Sequence, residues 1–142
     1  MTTQATGTFD VRVLPQPPDS APAEAAKLMR HSGVGGIPVL GHDSEECAGI
    51  LTERDIVLRV LAEERDARAV LVRDVATLQP VTCSPGEDVA AVAARMREHQ
   101  VQHLPVCETG QVRGVISLAD IVFERPDEER GLLDPMPLSP PR

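Results

Sequence analysis

Two short segments of this sequence occur twice in the same order, and this internal repeat constrains the fold more than any other feature. Ile37-Pro38-Val39-Leu40 recurs 67 positions later as Leu104-Pro105-Val106-Cys107, and Gly49-Ile50-Leu51-Thr52 recurs 65 positions later as Gly114-Val115-Ile116-Ser117. The first copy therefore carries two additional residues in a polar stretch typical of a loop. Because one copy alone is too small to bury a stable core, we expect the two copies to pack on each other around a pseudo-twofold axis.

Both copies are predicted to contain a strand, a helix, two strands and a second helix, in that order. In the second copy, a short extended segment at 80–82 and a turn at 84–86 precede a helix. Its apolar residues recur at the spacing of one helical face: Val89, Val92, Ala93 and Met96. The fold class is therefore predicted to be mixed α/β, built from two β-α-β-β-α repeats.

The first copy is predicted to have the same elements. Its first helix takes Asp19 or Ser20 as the N-cap, has Pro22 in the first turn and ends near Gly33. This helix is expected to bury Ala25, Ala26 and Met29. Strands are predicted at 36–40 and 47–51, and a second helix is predicted to begin at Thr52 and end near Glu64.

These elements divide the chain into four parts. We assign residues 10–65 to the first repeat, 66–79 to a connecting segment with a short helical turn, 80–124 to the second repeat and 125–142 to a tail. The tail is rich in proline and acidic residues, a composition that predicts the absence of a packed core.

Composition excludes several classes of partner. The net charge is −8 and Phe9 and Phe123 are the only aromatic residues, so a surface that binds nucleic acid is not expected. Neither a signal peptide nor an apolar stretch long enough to cross a bilayer is visible, so no membrane partner is expected. Three widely spaced cysteines, Cys47, Cys83 and Cys107, favour reduced thiols in the cytoplasm over a zinc site or a disulfide framework.

The strand-to-helix junction of each copy carries the residues most suited to binding. Thr52 precedes Asp55 by three positions, as Ser117 precedes Asp120. A hydroxyl at a helix N-terminus lies beside free N–H groups and favours an anion, while a carboxylate one turn later accepts hydrogen bonds from a diol. The same spacing is also that of a helix capping pair, and the two roles are compatible because the N-cap position places the hydroxyl at the anion site.

This pattern resembles the CBS domain family, named for cystathionine beta-synthase, over about residues 10–124. The resemblance implies two clefts between paired repeats that bind an adenosine-containing ligand: AMP, ADP, ATP or S-adenosylmethionine. It implies that Asp55 and Asp120 accept hydrogen bonds from ribose hydroxyls, and that Thr52 and Ser117 contact phosphate.

The resemblance also suggests further ligand-binding positions, which are Ile37, Pro38, Leu104 and Pro105. His103 stands where many family members carry a basic residue, whereas the first copy has Gly36 there and Arg54 as its candidate cation. Thr82 is a candidate contact for the adenine edge. The alternatives are a surface histidine at a strand end and an ordinary strand threonine.

We therefore predict a regulatory module that senses an adenine nucleotide, without catalysis and without a cofactor or metal. The alternative is a protein-interaction or dimerisation module whose ligand clefts are vestigial. A homodimer is expected, through an apolar edge formed by Leu58, Leu61, Ile121 and Phe123, and the regulated partner protein is unknown.

Overall fold

The computed structural model describes residues 17–41, 44 and 46–124, with the backbone alone from residue 122 onwards. Its helices are α1 (Pro22–Ser32), α2 (Glu53–Ile56), α3 (Val72–Val75), α4 (Val89–His99) and α5 (Leu118–Glu124). Its strands are β1 (Gly36–Leu40), β2 (Cys47–Thr52), β3 (Thr77–Leu78), β4 (His103–Glu108) and β5 (Gln111–Ser117). The mixed α/β fold is confirmed. The predicted opening strand of the first repeat and the tail at 125–142 lie outside the described residues.

Helix α1 begins differently from the prediction. Its N-cap is Ala21, which makes no capping hydrogen bond through its side chain, so the predicted caps Asp19 and Ser20 are wrong. The Ser20 hydroxyl donates instead to the Pro17 carbonyl at 2.7 Å. Pro22 at the first helical positions fixes a helical φ and needs no N–H partner there, which explains a start without a polar cap. The predicted end is confirmed, because Gly33 adopts a φ of 73°.

The two copies form matching antiparallel hairpins. In the first, β1 pairs with β2 so that Gly36 lies opposite Thr52. In the second, β4 pairs with β5 so that His103 lies opposite Ser117. Each hairpin has an irregularity at the same place, after the valine of its Pro-Val dipeptide. The sequence repeat is therefore a structural repeat down to the position of the bulge.

The connecting segment supplies a strand to the first sheet. Strand β3 pairs with β2, with Gly49 opposite Leu78, and a Cβ on Gly49 would lie only 2.7 Å from the Thr77 carbonyl oxygen. The predicted strand at 80–82 is wrong, because extended pairing occurs before it, at β3, and after it, in a parallel bridge between Cys83 and Val106. Pro80 has no N–H to donate to a ladder, which accounts for the gap.

The apolar core has two parts, one for each repeat. The predicted face of α4 is confirmed, since all four of its apolar residues are fully buried. In α1, Ala25 and Met29 are buried as expected, whereas Ala26 is only half-buried. The first core also contains Val115 of the second repeat, so the two cores are joined across the interface between the copies.

The second helix of the first repeat continues beyond α2 as a π-helical segment, Val57–Leu61. Val60 is fully buried, and the chain turns away at Glu64, which has a φ of 56°. Both junction helices are attached in the same way: the Glu53 N–H donates to the Gly35 carbonyl at 3.0 Å, and the Leu118 N–H donates to the Gln102 carbonyl at 2.9 Å. These equivalent bonds place the two junctions at related positions on either side of the pseudo-twofold axis.

Candidate functional site

At the first junction, Thr52 and Asp55 cap the start of α2. The Asp55 N–H donates to Thr52 Oγ1 at 3.2 Å, and the Thr52 N–H donates to Asp55 Oδ2 at 2.9 Å. The Thr52 hydroxyl also donates to Asp55 Oδ2, at 3.1 Å. This arrangement is a complete capping box, which satisfies backbone donors that the helix itself leaves free.

The remaining oxygen of Asp55 is also occupied by the protein. Asp55 Oδ1 accepts a hydrogen bond of 3.3 Å from the Thr77 hydroxyl and lies 3.8 Å from Arg59 Nε. Arg59 is itself anchored, because its Nη1 donates to the carbonyls of Val75 and Ala76 at 3.3 and 3.1 Å. Asp55 is only 7% exposed. Its carboxylate therefore holds the connecting segment against the first repeat.

The second junction has the same capping pair but not the additional contacts. The Asp120 N–H donates to Ser117 Oγ at 3.1 Å, and the Ser117 N–H donates to Asp120 Oδ2 at 3.2 Å. Within the described part of the chain, Asp120 Oδ1 accepts no hydrogen bond, and the side chain is partly exposed. The position equivalent to Arg59 is Glu124, an acidic residue. One carboxylate oxygen at this junction is therefore available to a ligand.

His103 lies where the two repeats meet. A Cβ on Gly36 would lie 3.0 Å from His103 Cγ, so the imidazole occupies the space that a side chain at the equivalent position would fill. Gly35 gives similar room, with its hypothetical Cβ 3.1 Å from His103 Nε2 and overlapping the Glu53 carboxylate. The ring is therefore half-buried between the copies, at the first residue of β4.

The electrostatic surroundings of His103 combine burial with two negative charges. Burial is the larger effect and lowers the pKa of the imidazole, while the carboxylates of Glu53 and Asp120 oppose that shift. Because Glu53 begins α2 and Asp120 belongs to α5, the ring lies between groups from both repeats. A neutral imidazole in this position retains one donor and one acceptor nitrogen for a polar ligand.

The other predicted site residues fall into two groups. Ile37 and Pro38 are buried in β1, and Leu104 and Pro105 are buried in β4. Arg54 is exposed on the first turn of α2. Thr82 is exposed but not in a strand, and its carbonyl accepts a hydrogen bond of 2.9 Å from Arg95 Nη1.

Sequence reasoning missed Thr77 and Arg59. Arg59 follows Asp55 by four positions on one helical face, a spacing that favours an ion pair and could have identified it. No local pattern relates Thr77 to Asp55, because their contact depends on the pairing of β3 with β2.

Residues 17–41, 44 and 46–124 contain no group of three His, Cys, Asp or Glu side chains that could hold a metal ion. None of the described helices is both long and apolar enough to cross a bilayer.

Comparison with known families agrees with this architecture. The model of the CBS domain matches twice, at residues 17–62 and 72–127. The chain belongs to the CBS domain family. It is 30% identical over 122 residues to the CBS domain-containing protein YhcV of Bacillus subtilis, covering 86% of this chain and 85% of that protein.

Solved structures of CBS proteins share the fold. The hexameric CBS-CP12 protein from bloom-forming cyanobacteria superimposes with a TM-score of 0.80 at 28% identity, over 97% of this chain and 78% of that one. The CBS domain protein PAE2072 from Pyrobaculum aerophilum, solved in complex with AMP, also gives a TM-score of 0.80, at 24% identity, over 90% and 97% of the two chains. The described chain is thus a tandem CBS pair, a type of module that is generally regulatory.

Proposed function

We propose that this CBS pair is a regulatory module that binds one adenosine-containing ligand per chain at the second junction. The observation that carries the proposal is the difference between the two aspartates. Both oxygens of Asp55 are engaged by protein groups, whereas Asp120 keeps one oxygen free and partly exposed. An ionised carboxylate is acceptor-only, so its natural ligand partner is a donor such as a ribose hydroxyl.

The groups around Asp120 suit the rest of a nucleotide. Ser117 Oγ accepts one hydrogen bond within the protein, and its hydroxyl hydrogen is available to a phosphate oxygen. His103 is close enough to Asp120 for their charges to interact, and it provides a polar group beside the same cleft. The AMP complex of PAE2072 supports the proposal through the fold alone, since that protein has the same architecture and accommodates an adenine nucleotide.

The module is proposed to act without catalysis. A ligand changes the behaviour of such a protein only through its preference for one conformation or assembly over another, and a partner protein would respond to that change. Three free thiols, Cys47, Cys83 and Cys107, fit a reducing compartment, and we propose the cytoplasm on this ground.

A thermal-shift panel of AMP, ADP, ATP and S-adenosylmethionine tests the proposal. A ligand present at about 100 times its dissociation constant should stabilise the fold by roughly 2.7 kcal/mol, which corresponds to a rise of several degrees in the melting temperature. Calorimetric titration with the best compound should then give one site per chain. A response to none of the four compounds would contradict the sensor, and a stoichiometry of two would contradict the assignment to one junction.

A second candidate function, a dimerisation module with vestigial clefts, is favoured by an apolar face on the π-helical segment. Val57 and Leu61 are 51% and 63% exposed and lie one helical turn apart. The predicted edge needs correction, because Ile121 is fully buried, while the Phe123 side chain lies outside the described residues. We propose that Val57 and Leu61 contact a second copy. Light scattering should show a dimer at tens of micromolar, and Leu61→Arg should yield a monomer.

A further inference from the structure

The side chains of Glu53 and His103 share the space beside Gly35, where the two repeats meet. A Cβ on Gly35 would lie 3.1 Å from His103 Nε2 and would overlap the Glu53 carboxylate. Glu53 is the first residue of α2 in the first repeat, and His103 is the first residue of β4 in the second. A carboxylate of the first repeat is therefore adjacent to the imidazole of the second.

The same imidazole adjoins the proposed nucleotide site. His103 lies directly opposite Ser117 in the register of β4 and β5, and the Ser117 N–H donates to Asp120 Oδ2 at 3.2 Å. Residues directly opposite in an antiparallel pair have Cβ atoms about 4.5–5.5 Å apart. A nucleotide with its ribose at Asp120 and its first phosphate at Ser117 would therefore lie next to His103, with the Glu53 carboxylate close by.

The two carboxylates at this place keep their negative charge. In the part of the chain that the structure describes, neither Glu53 nor Asp120 forms an ion pair with an arginine or a lysine. His103 does not replace such a cation at neutral pH, because burial lowers the pKa of its imidazole. A phosphate chain placed here would therefore meet negative charge.

The first junction has a different balance of charge. There Arg59 Nε lies 3.8 Å from Asp55 Oδ1, whereas Glu124 stands at the equivalent position, one helical turn after Asp120. The cation beside the first aspartate is thus replaced by an acidic residue on the second helix. The second junction is therefore the less suited of the two to a ligand with several negative charges.

We propose that the second junction selects an adenosine ligand with no more than one phosphate, and that Glu53 is a specificity-determining residue that repels longer phosphate chains. This inference rests on the proposed nucleotide site and narrows its ligand to adenosine, AMP or S-adenosylmethionine, against ADP and ATP. The Ser117 hydroxyl has one hydrogen to donate to a phosphate, and an uncompensated like charge is an effective means of rejecting the wrong ligand. The net charge of −8 adds to the repulsion.

Calorimetric titration of the full chain with these five compounds tests the inference, in EDTA so that no Mg²⁺ can bridge phosphate and carboxylate. We expect ATP to bind at least about tenfold more weakly than AMP. Glu53→Gln keeps the size of the side chain and removes its charge, so it should strengthen ATP binding at least about fivefold and leave adenosine binding unchanged. Because Glu53 is exposed, added salt should narrow the difference between AMP and ATP.

The matched control is Glu63→Gln, which removes the same charge from another exposed position and should leave the order of affinities as in the parent. Equal or tighter binding of ATP than of AMP by the parent would overturn the inference and leave the adenosine site in place. Equal effects of Glu53→Gln and Glu63→Gln on ATP would do the same, as would a change in adenosine binding as large as that in ATP binding. If a variant does not fold, the order of affinities in the parent decides. Binding of none of the compounds, adenosine included, would instead contradict the proposed function itself.

Discussion

The Thr77 hydroxyl donates to Asp55 Oδ1 at 3.3 Å, across 22 positions of sequence. This bond links the strand supplied by the connecting segment to the helix of the first repeat. It also occupies the oxygen that, at the second junction, Asp120 leaves available. Two aspartates with the same local sequence spacing thus have different surroundings, and part of the difference comes from Thr77, which is distant from Asp55 in the sequence.

Asp120→Asn and Asp55→Asn should separate ligand binding from capping. Asparagine keeps the size of aspartate but loses the charge, and charge-assisted hydrogen bonds contribute about 1.5–3 kcal/mol each. We expect Asp120→Asn to weaken adenine-nucleotide binding by at least about tenfold, or 1.4 kcal/mol, with a modest change in ligand-free stability. Asp55→Asn should have the smaller effect on affinity. Calorimetric titration of both variants is the measurement, and equal affinity for parent and Asp120→Asn would refute the site.

Thr77→Val should destabilise the fold by about 1 kcal/mol, because it keeps the shape of the side chain and removes the donor to a buried carboxylate. The matched control is Thr82→Val, at an exposed position whose side chain makes no hydrogen bond in the described structure, and we expect a change below about 0.5 kcal/mol. Urea unfolding of both variants measures the difference. Equal stability losses would show that the Thr77–Asp55 bond contributes nothing specific.

Gly36→Ala should disturb the contact between the repeats. The added methyl group would lie 3.0 Å from His103 Cγ, and such overpacking typically costs about 1–3 kcal/mol. The loss should shrink when His103 is replaced by alanine in the same chain, which a double-mutant cycle of unfolding free energies would reveal. Gly86→Ala is the control, since a Cβ there meets nothing within 4 Å. If the cycle gave no coupling energy between positions 36 and 103, the destabilisation by Gly36→Ala would have to come from contacts other than that with His103.

The ion pair between Glu87 and Arg95 should make stability depend on acidity. Hydrogen bonds from Arg95 are the main reason that the pKa of Glu87 falls from 4.5 to about 2. The folded state therefore binds the Glu87 proton less tightly than the unfolded state does. The stabilisation is complete above about pH 4.5 and is lost as the pH falls towards 2.

Glu87→Gln should remove this pH dependence. After allowance for solvent screening of two partly exposed groups, the loss should be about 1–2 kcal/mol at neutral pH and should vanish in acid. Urea unfolding between pH 2 and 7 is the measurement, with Glu98→Gln on the exposed face of the same helix as control. A constant difference between parent and Glu87→Gln across that range would contradict the explanation.

The internal repeat predicted most of the helices and strands, because the apolar residues of each copy follow a regular spacing and turn or capping residues stand at the ends. The stripe that begins at Val89 and the turn at Gly33 depend only on neighbouring residues, and both are confirmed. The pairing of β3 with β2 was missed, since it depends on Gly49 leaving room for the Thr77 carbonyl. Ile121 was expected on an exposed edge for a similar reason: its environment is set by contacts distant in sequence.

The candidate site was predicted less completely. The capping geometry at Ser117 and Asp120 follows from the three-residue spacing, and the structure contains it. The asymmetry between the two junctions was expected from Gly36 and His103 alone. In the structure these two residues contact each other, and the different exposure of the aspartates comes from Thr77 and Arg59 instead. The four-residue spacing of Asp55 and Arg59 is a local signal, whereas no local pattern indicates the contact between Thr77 and Asp55.

Strand β3 also bears on how the protein is made. A ribosome releases the first repeat before the connecting segment, so the sheet of β1 and β2 lacks its third strand until Thr77 and Leu78 have emerged. Its core waits longer, because Val115 is translated near the end of the second repeat. We therefore expect the N-terminal half to complete its packing only after the second repeat has been synthesised, unlike domains that fold one by one during synthesis.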